Sequence, residues 1–320
     1  RYYRIKANLL GLPILRWSDR NSPLPFSDTT IVPFDEATKI VLDAYESFSP
    51  TLADIIRDCY KSGRLDVPAM KGRRGGAYNY TLMMPGSVPA GFVFMNYLGS
   101  SRDVMTLAHE LGHNVHGIIA GQTQGPLMQH APMAYAETAS TFGEMTTFNH
   151  LVGRLEHNSD PRQLLALVMD KIGDIANTVI RQIAFSNFER QLHGMDATYS
   201  KWNNPTKLSV SDLNRLWLKT NKEMYGEDGE IFTYENAEYL WAYISHFHRP
   251  FYVYSYACGD LLTSNLYAQQ KRLGPKFEPL YLDLLRAGST KGIVELTKPF
   301  GLDPSSDTFW MEGLKAGLGA

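Results

Sequence analysis

The sequence predicts a mainly α-helical fold with a small β element. Several segments repeat apolar residues at the spacing of an amphipathic helix, whereas one stretch is rich in glycine and proline and leads into a short β-prone run. The chain has 320 residues, of which 44% are hydrophobic and 20% are charged. A chain of this length can bury a large core without disulfides or structural metals.

The first half of the chain alternates helical and β signals. Apolar residues recur at helical spacing from residue 34 to about residue 60, which predicts two helices or one interrupted helix. Residues 61–90 are punctuated by glycine, proline and arginine, and they predict loops with short strands. Residues 92–97 form a β-prone run between Gly91 and Gly99, which predicts a strand that stops just before the next helix.

That next helix has a clear start signal. Ser100 and Asp103 form a capping box, because their side chains can accept hydrogen bonds from the free N–H groups of the first turn. We therefore expect a helix that begins near Ser101 and ends near residue 120, before Gly121.

Helical patterns continue to the end of the chain. A helix over residues 135–151 is followed by a longer one with a single apolar stripe, formed by Val168, Ile172, Ile175, Val179 and Ile183. Further helices are predicted over residues 209–225, 234–246, 251–270, 277–287 and 305–318. Gly226 is the expected stop of the first of these.

The composition excludes some classes of function. The formal charge of −2 provides no basic surface for DNA or RNA, so nucleic acid is not an expected partner. No run of about 18 apolar residues and no signal-peptide pattern is present, so we expect no membrane partner. Cys59 and Cys258 belong to no Cys-x-x-Cys pair, which is typical of reduced thiols in a cytoplasmic protein.

A candidate metal site lies on the helix that follows Ser100. In His109-Glu110-Leu111-Gly112-His113 the two histidines are four residues apart, so both imidazoles project from one helix face and can hold one ion. Zinc lowers the pKa of a bound water to about 7, and a neighbouring carboxylate such as Glu110 can then take its proton. The pattern indicates metal-assisted hydrolysis with one Zn²⁺ per chain, although five residues can also match by chance.

A catalytic zinc ion uses three protein ligands and one open position, so a third ligand should follow downstream. Glu137 is the best candidate, because it lies on the next predicted helix and the chain can turn back through Gly121, Gly125 and Pro126. Glu144 lies two helical turns further along the same face and can orient a histidine. From the sequence alone, a solvated helix carboxylate explains Glu144 equally well.

Other metal-site hypotheses fit the sequence less well. Glu110-x-x-His113 is also half of the pattern used by di-iron carboxylate bundles, but the chain contains no second Glu-x-x-His. His116 is displaced around the helix from His113 and matches no zinc spacing. The remaining isolated histidines receive no role; they are His130, His150, His157 and His193.

Longer segments around the candidate site form a more specific pattern. Residues 106–113 read Thr-Leu-Ala-His-Glu-Leu-Gly-His, and residues 136–142 read Ala-Glu-Thr-Ala-Ser-Thr-Phe. Together they resemble the oligoendopeptidase F branch of the thimet oligopeptidase family. The resemblance covers almost the whole chain, and other matching segments are residues 2–7, 15–19, 71–78, 95–97 and 251–259.

The resemblance implies a zincin-type (gluzincin) catalytic domain over residues 1–320, neurolysin-like, with a small β-sheet beside the active-site helix. It implies that His109, His113 and Glu137 bind zinc. It also implies that Glu110 is the general base and that Glu144 orients a zinc-binding histidine without binding the metal itself. Family members carry a helical lobe before the point where this chain begins, so that lobe, or a self-association partner, is an expected partner.

A second group of residues is implied near the end of the chain. His246 or His248, with Tyr252, Tyr254 and Tyr256, is expected to supply substrate contacts and a donor to the developing oxyanion. A phenol suits this role, because a pre-aimed O–H stabilises negative charge that grows only in the transition state. The three tyrosines cannot all share one helical face, so at least one should only pack against the core. Tyr256 is the first choice for the oxyanion donor.

The predicted strand over residues 92–97 suggests how a peptide binds. An exposed strand edge can pair with an extended peptide backbone without reading its side chains, so broad sequence tolerance would follow. Gly75 and Gly76 can let the backbone approach the substrate closely, although a flexible turn explains the pair as well.

These observations predict a cytoplasmic zinc metalloendopeptidase that cleaves internal bonds of oligopeptides. The rival hypothesis is a non-catalytic peptide-binding module that retains the fold and the metal.

Overall fold

The structure is a computed structural model that describes residues 1–26, 31–158, 161–195 and 208–319. The chain divides into two compact units. Unit 1 consists of Arg1–Ser27 and Val168–Cys258, and unit 2 consists of Asp28–Leu167 and Gly259–Ala320.

Helices form most of the described chain. In chain order they are α1 (Tyr2–Leu9), α2 (Phe34–Phe48), α3 (Pro50–Lys61), α4 (Ser101–Gln124), α5 (Met133–Ala136), α6 (Thr138–Asn158), α7 (Pro161–Ile175), α8 (Gln182–Leu192), α9 (Val210–Tyr225), α10 (Tyr254–Leu273), α11 (Phe277–Arg286), α12 (Ile293–Thr297) and α13 (Asp307–Gly319). The strands are β1 (Leu15–Arg16), β2 (Leu65–Pro68), β3 (Tyr78–Met84), β4 (Val88–Tyr97) and β5 (Phe232–Thr233). This composition confirms the predicted mainly α fold with a small β-sheet. Within the described ranges, no helix has both the length and the apolarity needed to cross a bilayer.

The predicted start of α4 is confirmed, but its predicted end is wrong. Asp103 N–H donates to the Ser100 hydroxyl and Ser100 N–H donates to the Asp103 carboxylate, which completes the capping box. The helix runs through Gly121 and stops only at Gly125, whose φ is +70°. A Cβ on Gly121 would lie 2.8 Å from Pro89 Cβ. Gly121 therefore permits close packing of the helix on β4 and does not end it.

The helix predicted over residues 135–151 is broken in two. Glu137 lies between α5 and α6, with φ −84° and ψ −3°. Its carbonyl oxygen accepts hydrogen bonds from the Thr141 N–H and from the Ser140 and Thr141 hydroxyls. The local side chains thus stabilise a turn at Glu137 and restart the helix at Thr138.

The three-stranded sheet of unit 2 corrects the expectation that residues 92–97 form an exposed edge. β4 is the central strand, with β2 parallel on one side and β3 antiparallel on the other. It also begins earlier than predicted, at Val88, and tolerates Pro89 because β2 pairs with it only from Val93 onward. The outer edges among the described strands of this sheet therefore belong to β2 and β3.

Small residues let the sheet lie directly on α4. A Cβ on Gly117 would be 2.3 Å from Thr81 Oγ1, and one on Gly91 would be 1.7 Å from Asn114 Oδ1. The Asn114 side chain of α4 therefore lies against the backbone of β4 at Gly91, and the Thr81 side chain of β3 lies against the backbone of α4 at Gly117.

A second contact without room for side chains joins α4 to α6. A Cβ on Gly112 would lie 2.4 Å from the Ala139 carbonyl oxygen, which belongs to the backbone of α6. A Cβ on Gly143 of α6 would lie 3.1 Å from the Ala108 carbonyl oxygen of α4, and 1.7 Å from the Tyr45 hydroxyl. The Tyr45 hydroxyl donates to the Ala108 carbonyl at 3.1 Å. Each helix thus contributes one glycine to the contact.

In unit 1, the apolar stripe predicted from Val168 to Ile183 is shifted by one residue near its end. Ile175 and Val179 are buried, but the chain forms a π-helical turn over Ala176–Arg181. Such a turn holds an extra residue and rotates the following face. Ile183 is consequently only half-buried, and the buried apolar side chains of α8 are Ala184, Phe185 and Phe188.

The prediction of a helix over residues 234–246 is wrong. Asn236 has φ +59°, which interrupts helical geometry, and the segment folds into the short 3₁₀ turns Leu240–Tyr243 and Ser245–His248. The helix predicted to start at residue 251 starts at Tyr254, because Phe251 has φ +62°. The helices predicted over residues 209–225 and 277–287 are confirmed within one residue.

The glycine contact between α4 and α6 leads to a stability prediction. We expect Gly112→Ala to lower the free energy of unfolding by about 1–3 kcal/mol, because backbone cannot move away cheaply from the new Cβ. Gly153→Ala is the matched control: Gly153 lies on α6 with open space around it, so alanine should leave stability unchanged or raise it by about 0.5–1 kcal/mol. Urea unfolding midpoints measure both. Equal midpoints for the two variants would contradict the close contact.

Candidate metal centre

Helix α4 places two imidazoles side by side in unit 2. The ring centroids of His109 and His113 are 4.9 Å apart and the ring planes make an angle of 82°. This arrangement follows from their four-residue spacing, which puts both side chains on one helix face. The two side chains remain 27% and 25% exposed, so the group is open on one side.

Glu137 completes the group. Its Oε2 atom lies 3.3 Å from His109 Nε2 and 3.2 Å from His113 Nε2. One ligand atom from each of the three residues can be chosen so that all lie within 4.8 Å of one another. The Ser140 hydroxyl donates to Glu137 Oε2 at 2.9 Å. The carboxylate is thus aimed at the imidazoles from the turn that separates α5 and α6.

Gly259 of α10 leaves space for the Glu137 side chain. A Cβ at position 259 would lie 2.8 Å from Glu137 Cβ. A larger residue would therefore push the carboxylate away from the two histidines.

Glu144 lies behind His109. Its Oε2 atom is 3.4 Å from His109 Nδ1, on the opposite side of the ring from Glu137. A carboxylate at Nδ1 favours the tautomer that leaves Nε2 free to bind a metal. Of the two interpretations that the sequence left open, this geometry supports a residue that orients the ring over a solvated carboxylate.

The carboxylates dominate the electrostatics of the group. Burial lowers the pKa of His109, but hydrogen bonds to Glu137 and Glu144 outweigh that effect and raise it to about 10. Burial raises the pKa of Glu137, and the hydrogen bonds from His109 and His113 outweigh it, so the net shift is downward. A proton and a cation therefore compete for the same negatively charged position.

Glu110 is the buried acid of the group. It is only 6% exposed, and its Oε2 atom has no hydrogen-bond partner among the described residues. Burial raises its pKa, against the opposing charges of His109 and His113 and a hydrogen bond from the Asn79 backbone. A buried acceptor oxygen without a protein partner is suited to accept a hydrogen bond from a water or a substrate.

These residues fit a zinc ion. Two imidazole nitrogens and one carboxylate oxygen form the donor set of catalytic zinc sites that use two histidines and one glutamate. The incomplete burial of the three side chains, 27%, 25% and 18% exposed, leaves one side for a further ligand. Among the described residues, this is the one group of histidine, cysteine and acidic side chains with metal-ligand proximity. No second carboxylate cluster supports the di-iron hypothesis in that part of the chain.

The tyrosine-rich segment forms a separate group in unit 1. His246 Nε2 lies 3.2 Å from the Tyr256 hydroxyl, and its ring stacks on Tyr252 with centroids 5.7 Å apart at 15°. Tyr252 and Tyr256 meet edge to face at 5.4 Å. Burial, followed by the charges of Arg181 and Arg249, lowers the pKa of His246, so its ring is neutral near pH 7.

Other predicted site residues lie outside both groups. Tyr254 and His248 are exposed and make no contact with the His246 group that the structure records. Gly75 and Gly76 lie in the exposed loop between β2 and β3, where the Asn96 amide donates to the Gly76 carbonyl at 3.4 Å. The side chain of His157 lies outside the described residues.

Sequence reasoning missed the residues that place Glu137 beside His109 and His113. Ser140 and the two glycines at positions 112 and 259 position Glu137 or make room for it. Gly112 had a signal, since a glycine in the interior of a strongly periodic helix usually has a packing reason. Ser140 lies only three residues after Glu137, so its contact is local, whereas Gly259 had no signal because it meets Glu137 only in the fold.

Comparisons with known proteins give a consistent result. The family model described as Peptidase family M3 matches residues 39–316. Oligopeptidase PepF of Bacillus subtilis is 28% identical over 306 residues, covering 96% of this chain and 43% of PepF. Group B oligopeptidase PepB of Streptococcus agalactiae is 27% identical over 310 residues, covering 96% of this chain and 48% of PepB. This chain therefore spans about half the length of these relatives.

A solved structure extends the likeness to the fold. The crystal structure of oligoendopeptidase-F from Enterococcus faecium superposes on 99% of this chain with a TM-score of 0.65, at 21% identity and over 48% of its own length. Together the matches confirm the resemblance and the zincin-type fold predicted from the sequence.

The positions of Glu137 and Glu144 at the imidazoles predict a graded effect on metal binding. We expect Glu137→Ala to weaken zinc affinity by more than about 100-fold, because it removes a ligand, and Glu144→Ala to weaken it by about 10–100-fold, because it frees the His109 ring. Glu156→Ala, an exposed glutamate on the same helix as Glu144, is the control and should change nothing. Competition with a chromogenic chelator measures all three. A larger loss for Glu144→Ala than for Glu137→Ala would contradict the assignment.

Proposed function

The chain belongs to peptidase family M3, and on that basis we propose that it is a zinc-dependent metalloendopeptidase that hydrolyses internal bonds of oligopeptides. The observation that carries the proposal is the unpartnered Oε2 atom of Glu110 beside the group formed by His109, His113 and Glu137. A ligand set with an open side and a buried base next to it is the arrangement that hydrolysis requires.

The metal would be held by His109, His113 and Glu137. When bound, zinc supplies Lewis acidity, which polarises a peptide carbonyl and makes water acidic enough to be deprotonated near neutral pH. Glu144 keeps the His109 ring in place through Nδ1, and Ser140 keeps the Glu137 carboxylate in place. These residues set positions and do not exchange protons with the substrate.

Glu110 is the proposed general base. Its Oε2 atom takes a proton from the water as the water oxygen attacks the carbonyl carbon of the peptide bond. The same carboxyl then gives the proton to the amide nitrogen as the carbon–nitrogen bond breaks. Burial raises the pKa of Glu110, which makes the carboxylate a stronger base than a solvated glutamate.

Strand β3 is the proposed docking edge for the substrate backbone. It pairs with β4 on one side, and the backbone N–H of Asn79 of β3 lies close enough to Glu110 to lower the pKa of that carboxyl, against the larger effect of burial. A peptide that adds as a further strand to β3 would therefore run past the base. Backbone pairing reads no side chains, which supports the expected tolerance for many sequences. Gly75 and Gly76, in the loop that leads into β3, stay predicted substrate contacts.

The His246 group is the proposed source of the oxyanion donor. Tyr256 has the strongest support, because its hydroxyl is held by the neutral ring of His246 and is thereby aimed before the reaction begins. Tyr252 supports His246 by stacking. His248 and Tyr254 are exposed and stay predicted contacts of the substrate.

The remaining expectations concern the whole protein. Oligopeptides are the proposed substrates, in keeping with the names of the relatives, each about twice as long as this chain. A helical lobe of the kind found in the family, or a second copy of the chain, is the proposed partner, and the cytoplasm is the proposed location.

Replacing the base separates the enzyme from a binding module. We expect Glu110→Gln to keep one zinc per chain and to lower kcat by about 10²–10⁴-fold, because the amide cannot take the proton. A quenched fluorescent peptide measures turnover, and elemental analysis measures zinc. The exposed Glu156→Gln is the control. Full activity in Glu110→Gln would remove Glu110 from the mechanism, and a zinc-loaded wild type without chelator-sensitive cleavage would favour the rival binding module.

The oxyanion donor has its own test. We expect Tyr256→Phe to lower kcat by about 10²-fold with a small change in KM, because the lost hydroxyl acts mainly in the transition state. Tyr239→Phe is the control, since Tyr239 is 51% exposed and belongs to neither group. A change confined to KM would assign Tyr256 to ground-state binding.

A further inference from the structure

The backbone just before the tyrosine-rich helix is strained. Phe251 has φ +62°, a conformation that glycine adopts freely and that bulky residues with a Cβ rarely adopt. Such residues persist only where the surroundings hold them, and they cluster at functional sites. The holding contact for Phe251 is therefore informative.

Glu189 supplies that contact. It lies on α8, is 1% exposed, and its Oε1 atom accepts a hydrogen bond from the Phe251 N–H at 3.0 Å. Its Oε2 atom has no hydrogen-bond partner among the described residues. A buried carboxylate costs free energy to desolvate, so its placement on one backbone N–H needs a reason. The reason that the geometry offers is the conformation of Phe251.

The residues on either side show what this conformation achieves. Val253 is fully buried in a cluster with Phe185 and Phe188, which lie on α8 together with Glu189. Tyr252 therefore stands between two anchors that the same helix provides, one polar at residue 251 and one apolar at residue 253. Between them, the Tyr252 ring is directed onto His246, which in turn meets the Tyr256 hydroxyl.

We propose that Glu189 is a positioning residue, whose buried carboxylate holds Phe251 in the left-handed conformation and thereby sets Tyr252 and His246 in the arrangement that aims Tyr256. The inference rests on the proposed function for its catalytic consequence. Its structural part, the bond that holds Phe251, stands independently. Glu189 touches no substrate in this scheme and acts only through the chain segment it holds.

Hydrogen exchange tests the contact itself. The Phe251 amide should exchange at least about tenfold faster in Glu189→Ala than in the wild type, because it loses its acceptor. Glu189→Gln should exchange like the wild type, because the amide oxygen still accepts the bond. In both variants, the chemical shift of His246 Hε1 reports the position of the stacked Tyr252 ring. This chemical shift should change in Glu189→Ala and stay at the wild-type value in Glu189→Gln. An unchanged exchange rate and resonance in Glu189→Ala would overturn the proposal without any assay of activity.

Rescue by glycine distinguishes positioning from general stability. We expect Glu189→Ala to lower kcat by about tenfold with little change in KM. Phe251→Gly should leave kcat nearly unchanged, because glycine adopts φ +62° without support. The double variant Glu189→Ala with Phe251→Gly should recover kcat to within about threefold of Phe251→Gly and restore the His246 resonance. Gln191→Ala, a buried residue on the same helix, is the control and should keep wild-type kcat.

A variant that keeps Glu189 covers the case in which Glu189→Ala does not fold. Phe251→Val leaves the carboxylate in place but adds a β-branched side chain that disfavours the left-handed conformation further, so kcat should fall and the His246 resonance should move. Equal kcat for Phe251→Val and Phe251→Gly, or no recovery in the double variant, would overturn the proposal. If the wild type cleaves no peptide, the proposed function fails, while the exchange and resonance measurements still decide on the contact.

Discussion

The close contact between α4 and α6 is the constraint on which the arrangement of His109, His113 and Glu137 depends. Two helices can approach this closely only because Gly112 and Gly143 carry no side chains. The approach brings the turn at Glu137 within 3.3 Å of two imidazoles on the neighbouring helix, and it brings Glu144 to the far side of His109. A larger separation of the helices would move both carboxylates away from His109 together. Gly112, which lies between His109 and His113 in the motif, therefore lets α6 pack closely enough to bring Glu137 to the two imidazoles.

The charge of the group explains why it suits a cation. Glu110, Glu137 and Glu144 carry three carboxylates, whereas the imidazoles of His109 and His113 carry no charge when they act as ligands. Part-buried like charges are costly unless they are balanced. A divalent ion balances two of the three, and a proton on His109 balances one, which accounts for the pKa of about 10 that the carboxylates confer on this ring. The excess negative charge of the carboxylates thus favours both the binding of a metal ion and the protonation of His109.

The tyrosine-rich segment is organised by a different means. Around the metal, rigid helices and missing side chains set the geometry. Around His246, a run of irregular backbone is held at single points, by Glu189 at Phe251 and by the aromatic core at Val253. Irregular backbone can direct neighbouring side chains to positions that no helix offers, but it needs such anchors. Tyr252 lies in this irregular run and Tyr256 lies in the first turn of α10, and their rings meet edge to face.

The sequence by itself determined the elements whose signals are local. The capping box at Ser100, the spacing of His109 and His113, and the periodicity of α2, α3, α9 and α11 are properties of short segments. The helices that they predicted are confirmed, and the two imidazoles lie on one helix face as expected. Tertiary structure decided the rest. The central position of β4 and the partners Gly259 and Glu189 all depend on segments distant in the chain. A local pattern specifies which face an element presents, but only packing specifies what that face meets.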